Sequence, residues 1–177
     1  MQRQKKQKGF SLIELLIVVA IIIIIITMAI PRIGQAKMQA NETSAVASLS
    51  AINRAQISYQ STYPSKGFAD GLSALGIGSL GVNNACTPGP MNACLIDAYL
   101  SSGVKSGYRF LMQAGTPVNN VNMTYGAGAA PLAYNSSGVR LFCTTEEQQI
   151  RFDANVNGST NPPSAQQCIG GGFSPLG

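Results

Sequence analysis

Few side chains in this sequence could do chemistry. The chain has no histidine, so it lacks the side chain that most readily shuttles protons near neutral pH and most often binds metals. Glu146 and Glu147 stand side by side rather than across a cleft and read as a charged turn. No catalytic residue is assigned, and the chain is not read as an enzyme. Cys86, Cys94, Cys143 and Cys168 show no CxxC spacing, which points to disulfides in an oxidising compartment rather than to zinc. Three pairings are open to four cysteines, and the local one, Cys86–Cys94 with Cys143–Cys168, is the simplest. "DANVNG", Asp153 to Gly158, matches the first half of a calcium loop, but its twelfth position is Ser164, where a bidentate glutamate is needed. It reads first as an Asn-Gly turn closing a strand, with Asp153, Asn155 and Asn157 as a residual calcium candidate. "GIGSLG", Gly76 to Gly81, matches GxGxxG, yet "VNNACTPGP" follows instead of a helix. It reads as a glycine loop. No metal or cofactor is assigned.

The carboxylate that asks most of its surroundings is Glu14. It sits inside "KGFSLIELL", at the start of an apolar run from Phe10 to Ile30 broken only by Ser11, Glu14 and Thr27. A charge at membrane depth costs about 2.5–3.5 kcal/mol or more, less if it reaches the interface, and something should offset that. At about 1.5 Å per residue the run spans roughly 31 Å of helix, the thickness of a hydrocarbon core. Its apolar residues occupy every helical face and include an unbroken isoleucine run, Ile21 to Ile26, unlike a one-sided soluble helix.

The net charge of +5 is concentrated at one end. Arg3, Lys5, Lys6 and Lys8 precede the apolar run, and the remainder is close to neutral. No specific nucleic-acid site is evident. The basic cluster keeps the N-terminus cytoplasmic and exports the body; Arg32 and Lys37, just beyond the run, argue weakly the other way. An ordinary secretory signal peptide has a shorter apolar region followed by a small-residue cleavage site. Here no clear A-x-A site follows, "TMAIPRIGQA" being a poor candidate.

"KGFSLIELL" closely resembles the cleavage and methylation signal of type IV prepilins and type II secretion pseudopilins. The resemblance implies that residues 1–9 are a basic leader removed by a prepilin peptidase. The cut would fall between Gly9 and Phe10, Phe10 would be N-methylated, and Glu14, fifth in the mature chain, would act in assembly together with the Phe10 amine.

The elements that must position these residues follow from periodicity. Residues 10–31 form the apolar transmembrane and polymerisation half-helix, and 32–63 an amphipathic half-helix. Ala45, Leu49, Ile52, Tyr59 and Tyr63 share one face, with Lys37, Asn41, Ser44 and Ser48 on another. "YPSKG" stops the helix. Pro31 removes one backbone donor and kinks it, eased by Gly34; the resemblance implies loosening there within a filament. Residues 64–107 read as a Gly/Ser-rich loop with one helical turn at "ADGLSALG". Residues 108–177 carry an antiparallel sheet, with strands at "YRFLMQ", "VNMTYG", "VRLFCT" and "IRFDA", and a loop tail. The expected fold is therefore α+β: a long N-terminal helix packed on a four-stranded antiparallel sheet. The resemblance adds a C-terminal loop closed by Cys143–Cys168.

Function follows as an expectation from the resemblance. The chain would be a structural subunit of a type IV pilus, held in the inner membrane before assembly and then polymerised into a helical homopolymer on the bacterial surface. Its partners would be other copies, the prepilin peptidase and the inner-membrane assembly machinery. The alternatives are a type II secretion pseudopilin or minor pilin, and a membrane-anchored binding domain that never assembles. Many major pseudopilins use calcium where pilins have the C-terminal disulfide.

Overall fold

The computed structural model describes residues 10–77 and 86–176, with the backbone alone at 28–31. The leader with Gly9, and residues 78–81 of the glycine motif, lie outside the described part. The chain divides after Ala36 into two units, each taken by itself below. One helix, α1 (Leu12–Thr62), contributes to both.

In the first unit the sequence from Leu12 to Ile26 holds no glycine or proline. Its many β-branched residues are indifferent helix formers in water. In hydrocarbon, however, every backbone polar group must be bonded within the segment, and a helix does that. Pro31 and Gly34 fall within the bounds of α1. The expected kink turns on Pro31, whose side chain lies outside the described part; a Cβ at Gly34 would meet nothing within 4 Å.

In the second unit α1 lays its apolar stripe on a sheet. Ala45, Leu49, Ile52, Ala55 and Tyr59 are at most 5 % exposed, and Tyr63 packs partly against the same core. The helix stops two residues before Pro64, as a proline demands of its predecessor. Gly67 then turns the chain with φ of 75°, and a Cβ there would collide with the backbone of Asn122. Two short helices follow, α2 (Leu72–Leu75) and α3 (Ala98–Ser101), the second capped by Asp97, whose Oδ1 accepts from Leu100 N at 3.1 Å.

The sheet is a six-stranded antiparallel meander in sequence order: β1 (Val104–Lys105), β2 (Tyr108–Ala114), β3 (Tyr125–Pro131), β4 (Leu141–Thr145), β5 (Arg151–Asp153) and β6 (Ser174–Pro175). Tyr108, Phe110 and Met112 of β2, Tyr125, Ala127 and Ala129 of β3, and Phe142 of β4 join the core shared with α1. Between β4 and the end, α4 (Ala165–Ile169) covers the opposite face of β3 and β4. Cβ atoms at Gly126 and Gly128 would strike Ala165 and Pro163, so only glycine lets this segment lie flat on β3.

The α+β architecture is as expected, with corrections in detail. The sheet has six strands rather than four, because two-residue strands at either edge carry too little sequence to show a period. The strand expected at "VNMTYG" begins only at Tyr125 and runs through "YGAGAAP". Residues 118–121 instead form a tight turn, with Asn119 and Asn120 at positive φ. Asn122 next to it bonds Lys66 O through its backbone N–H, and Phe68 O through its amide Nδ2. The loop expected over 64–107 has its expected helical turn, α2, and contains α3 and β1 besides, and the loop tail contains α4 and β6. Ser48, assigned to the polar face of α1, is only 4 % exposed.

Candidate functional site

The first unit presents its chemistry at the top of α1. Phe10 is 85 % exposed, and the large apolar side chains from Leu12 to Ile26 are all about half exposed or more. An 18-residue stretch of this helix has a mean hydropathy of 3.2, and the helix is long and apolar enough to cross a membrane. Such a surface is covered only by lipid or by other protein. Two polar side chains within it are bonded locally. Thr27 Oγ1 donates to Ile24 O at 2.8 Å. Glu14 folds back so that its Oε2 accepts from the backbone N–H of Ser11 at 2.9 Å, while Ser11 O accepts from Glu14 N and Leu15 N at 3.1 and 3.3 Å. This is half of a capping box, signalled in the sequence by Ser11-x-x-Glu14. Glu14 is thus a cap as well as a charge, a role that its charge alone does not suggest. The carboxylate also sits in the first turn, at the positive end of the helix dipole.

The second unit uses three buried polar side chains of α1 to fix the helix on the sheet. Glu42 Oε1 accepts from Val139 N at 2.9 Å and Arg140 N at 3.1 Å, and its Oε2 binds the Arg140 guanidinium through Nε and Nη2, both at 2.7 Å. Burial alone would push this carboxyl up. The two backbone donors and the guanidinium outweigh burial and hold it below its ordinary value of 4.5. Asn53 donates to Thr144 Oγ1 at 3.0 Å and Gln148 O at 3.1 Å, and its Oδ1 accepts from the Tyr125 hydroxyl at 2.9 Å. Gln56 brackets Ala69, accepting from its N–H at 2.9 Å and donating to its carbonyl at 3.3 Å. Burial pushes the Tyr108 and Tyr125 hydroxyls far above the ordinary tyrosine range, so both stay neutral donors. A stripe read from apolar residues alone passes over Glu42, Asn53 and Gln56; their positions flanking Ala45 and Ile52 were the available signal.

The cysteines pair locally. Cys86 is bonded to Cys94 and Cys143 to Cys168, with Cα separations of 6.1 and 5.8 Å. The second bridge joins β4 to α4 on the face where Gly126 and Gly128 make room. Of the calcium candidate's residues, Asn155 is engaged elsewhere, and Asp153 Oδ1 accepts from Asn155 N. The Asn155 side chain is buried and bonds Val139 O, Ser159 O and Ser159 N, and Gly158 N closes a turn onto Asn155 O at 3.0 Å. Ser164, the would-be twelfth ligand, caps α4 in a reciprocal box with Gln167. Among the described residues no three His, Cys, Asp or Glu side chains cluster as a metal site would require. Glu147 pairs with Arg151 at 3.0 Å across the β4–β5 turn. Gly76 follows α2 rather than a strand. A groove of about 490 Å³ beside α4 has Glu146 as its sole charged lining residue.

Residues 4–30 match the model of the prokaryotic N-terminal methylation motif, the hallmark of type IV pilin and prepilin-like proteins. Comparison with curated proteins and with solved structures returned no match.

Proposed function

We propose that the chain is a structural subunit of a type IV pilus, polymerising through the apolar part of α1 into a cell-surface filament. One observation carries this reading. The methylation motif at residues 4–30 overlaps the Leu12–Ile26 stretch of α1, whose large apolar side chains are all about half exposed or more. The motif supports a pilin-like or pseudopilin protein in general and implies processing by prepilin peptidase. Membrane storage then covers the helix with lipid, and assembly covers it with the same helix from other copies. The disulfide-closed C-terminal segment favours a pilin over a calcium-dependent pseudopilin.

Cleavage between Gly9 and Phe10 creates an amine at the head of an apolar helix. In a water-poor core that amine and the Glu14 carboxylate are each costly alone, and a buried charge without its partner costs several kcal/mol. Pairing the amine of one copy with Glu14 of an axially staggered neighbour neutralises both and selects one register. Mass spectrometry of assembled protein should find an N-methylated peptide beginning at Phe10. Electron microscopy of sheared surface material should show long filaments containing the chain, and short stubs would point to the pseudopilin. The Glu14→Ala chain should insert and be cleaved but assemble poorly. Normal filament numbers from that chain alone, or Met1 retained in assembled protein, would sink the reading.

A further inference from the structure

We propose that the backbone N–H of Ser11 is a positioning group: it holds the Glu14 carboxylate in one folded-back rotamer, with one oxygen engaged and the other presented to the amine of an adjoining copy. The second half of this statement rests on the filament reading above; the first half rests on the geometry of the single chain.

The first turn of any helix leaves backbone N–H groups without intrahelical acceptors. Ser11 immediately precedes α1, and its carbonyl already accepts from Glu14 N and Leu15 N, so it occupies the capping position. Its own N–H is met by Glu14 Oε2 at 2.9 Å. In an apolar layer no water replaces that acceptor, so the bond persists wherever this end of the helix is buried. Glutamate and glutamine have the reach to turn back three positions and make it. A carboxylate has two oxygens, and with Oε2 held by Ser11 the other, Oε1, is left as an acceptor. Side chains on a helix lean toward its N-terminus, which is the end that carries the new amine after cleavage. The side chain is thus ordered before the partner arrives, so association need not restrict a free glutamate. Glu14 therefore serves in succession as cap of its own helix and as counter-ion of the next one. Its apparent misplacement in a hydrocarbon-like run follows from the first role as well as the second.

Two substitutions separate reach from charge. Glu14→Gln keeps an acceptor oxygen at the same reach and removes the charge. Glu14→Asp keeps the charge and falls one methylene short of the Ser11 N–H. The first measurement is amide hydrogen exchange at Ser11, by NMR on the full-length chain in detergent micelles, where no filament is needed. Wild type and Glu14→Gln should both protect this amide, and Glu14→Asp and Glu14→Ala should each speed its exchange about tenfold. The second measurement is filament yield in cells at matched amounts of membrane-inserted chain. Glu14→Asp should lose at least fivefold relative to wild type despite retaining its charge. Equal Ser11 exchange in wild type and Glu14→Ala overturns the capping bond. Wild-type yield from Glu14→Asp overturns its positioning role. Absence of filaments from the wild-type chain overturns the filament reading and the presentation to a neighbour, while the exchange data still judge the bond by itself.

Discussion

The two stretches of α1 use hydrophobic side chains in opposite ways. From Leu12 to Ile26 the apolar residues point in every direction and stay uncovered, with Ile22 48 % exposed and Ile24 58 %. From Glu42 to Tyr59 the apolar residues gather mainly on one stripe and are buried there, Leu49 and Ile52 fully, with Ile57 left 42 % exposed outside it. Polar groups differ in the same sense. The first stretch satisfies Glu14 and Thr27 within the helix itself. The second sends Glu42, Asn53 and Gln56 across to specific partners more than ten residues away in sequence. A surface that awaits lipid or another copy needs hydrophobicity without a particular shape. A surface that meets its own sheet needs one residue at each position.

The largest expected effect lies wholly in the second unit. Replacing Cys143 and Cys168 together by serine opens a loop with a sequence separation of 25 and should cost about 3–4 kcal/mol in the chain-entropy account. Denaturant unfolding of the full chain in micelles, with and without reductant, measures it. Next comes a direct test of the contrast. Leu49→Ala empties a fully buried site and should destabilise the sheet-bearing unit by about 3 kcal/mol. Ile22→Ala, also a large-to-small change, should leave the unfolding midpoint of that unit unchanged. Equal effects from the two substitutions would break the comparison.

Glu42→Ala should cost about 2 kcal/mol. That is below the roughly 3–5 for a fully buried pair, because the Arg140 side chain remains 43 % exposed. The same carboxylate predicts a pH dependence. Its folded-state pKa lies below the ordinary 4.5, so its stabilisation is complete above that value and is lost as the pH falls through the lowered folded-state value. A midpoint-against-pH curve for Glu42→Ala should be flatter than wild type below pH 4.5. The smallest effect is expected at Lys105→Ala, whose partner Asp97 is 46 % exposed. Less than about 0.5 kcal/mol should be lost there.

The sequence was most legible where one period dominated. The stripe from Ala45 to Tyr63 and the strand β2 announced themselves because burial on one side imposes a repeat; the apolar run was legible from its length and hydrophobicity, and β4 and β5 from their β-branched and aromatic residues. The strand β3 did not announce itself. Its glycines and alanines score poorly as strand formers, and they are there because α1 presses on one face and the C-terminal segment on the other. That requirement is set by residues 163–165, far along the chain, and no local pattern contains it. The polar anchors were hidden for a related reason. Asn53 and Gln56 look like surface residues until Thr144, Tyr125 and Ala69 are brought beside them. Ser11-x-x-Glu14 was different, since its three-residue spacing was legible and only the attraction of the charge drew attention elsewhere.

The placing of the three anchors also determines how the second unit bears tension. Glu42 and Gln56 lie 14 residues apart, about 21 Å along α1 at its normal rise. The first grips the lead into β4 and the last grips Ala69 and β2, with Asn53 bonded to β3 and β4 near the last. A pull directed along α1 loads these bonds in parallel, as shear, so that no single one can fail and let the others peel in turn. Sliding the helix by even one residue would unseat all three polar groups together and leave Asn53 and Gln56 without partners in a dry interior. The sheet is therefore towed with the helix as one piece.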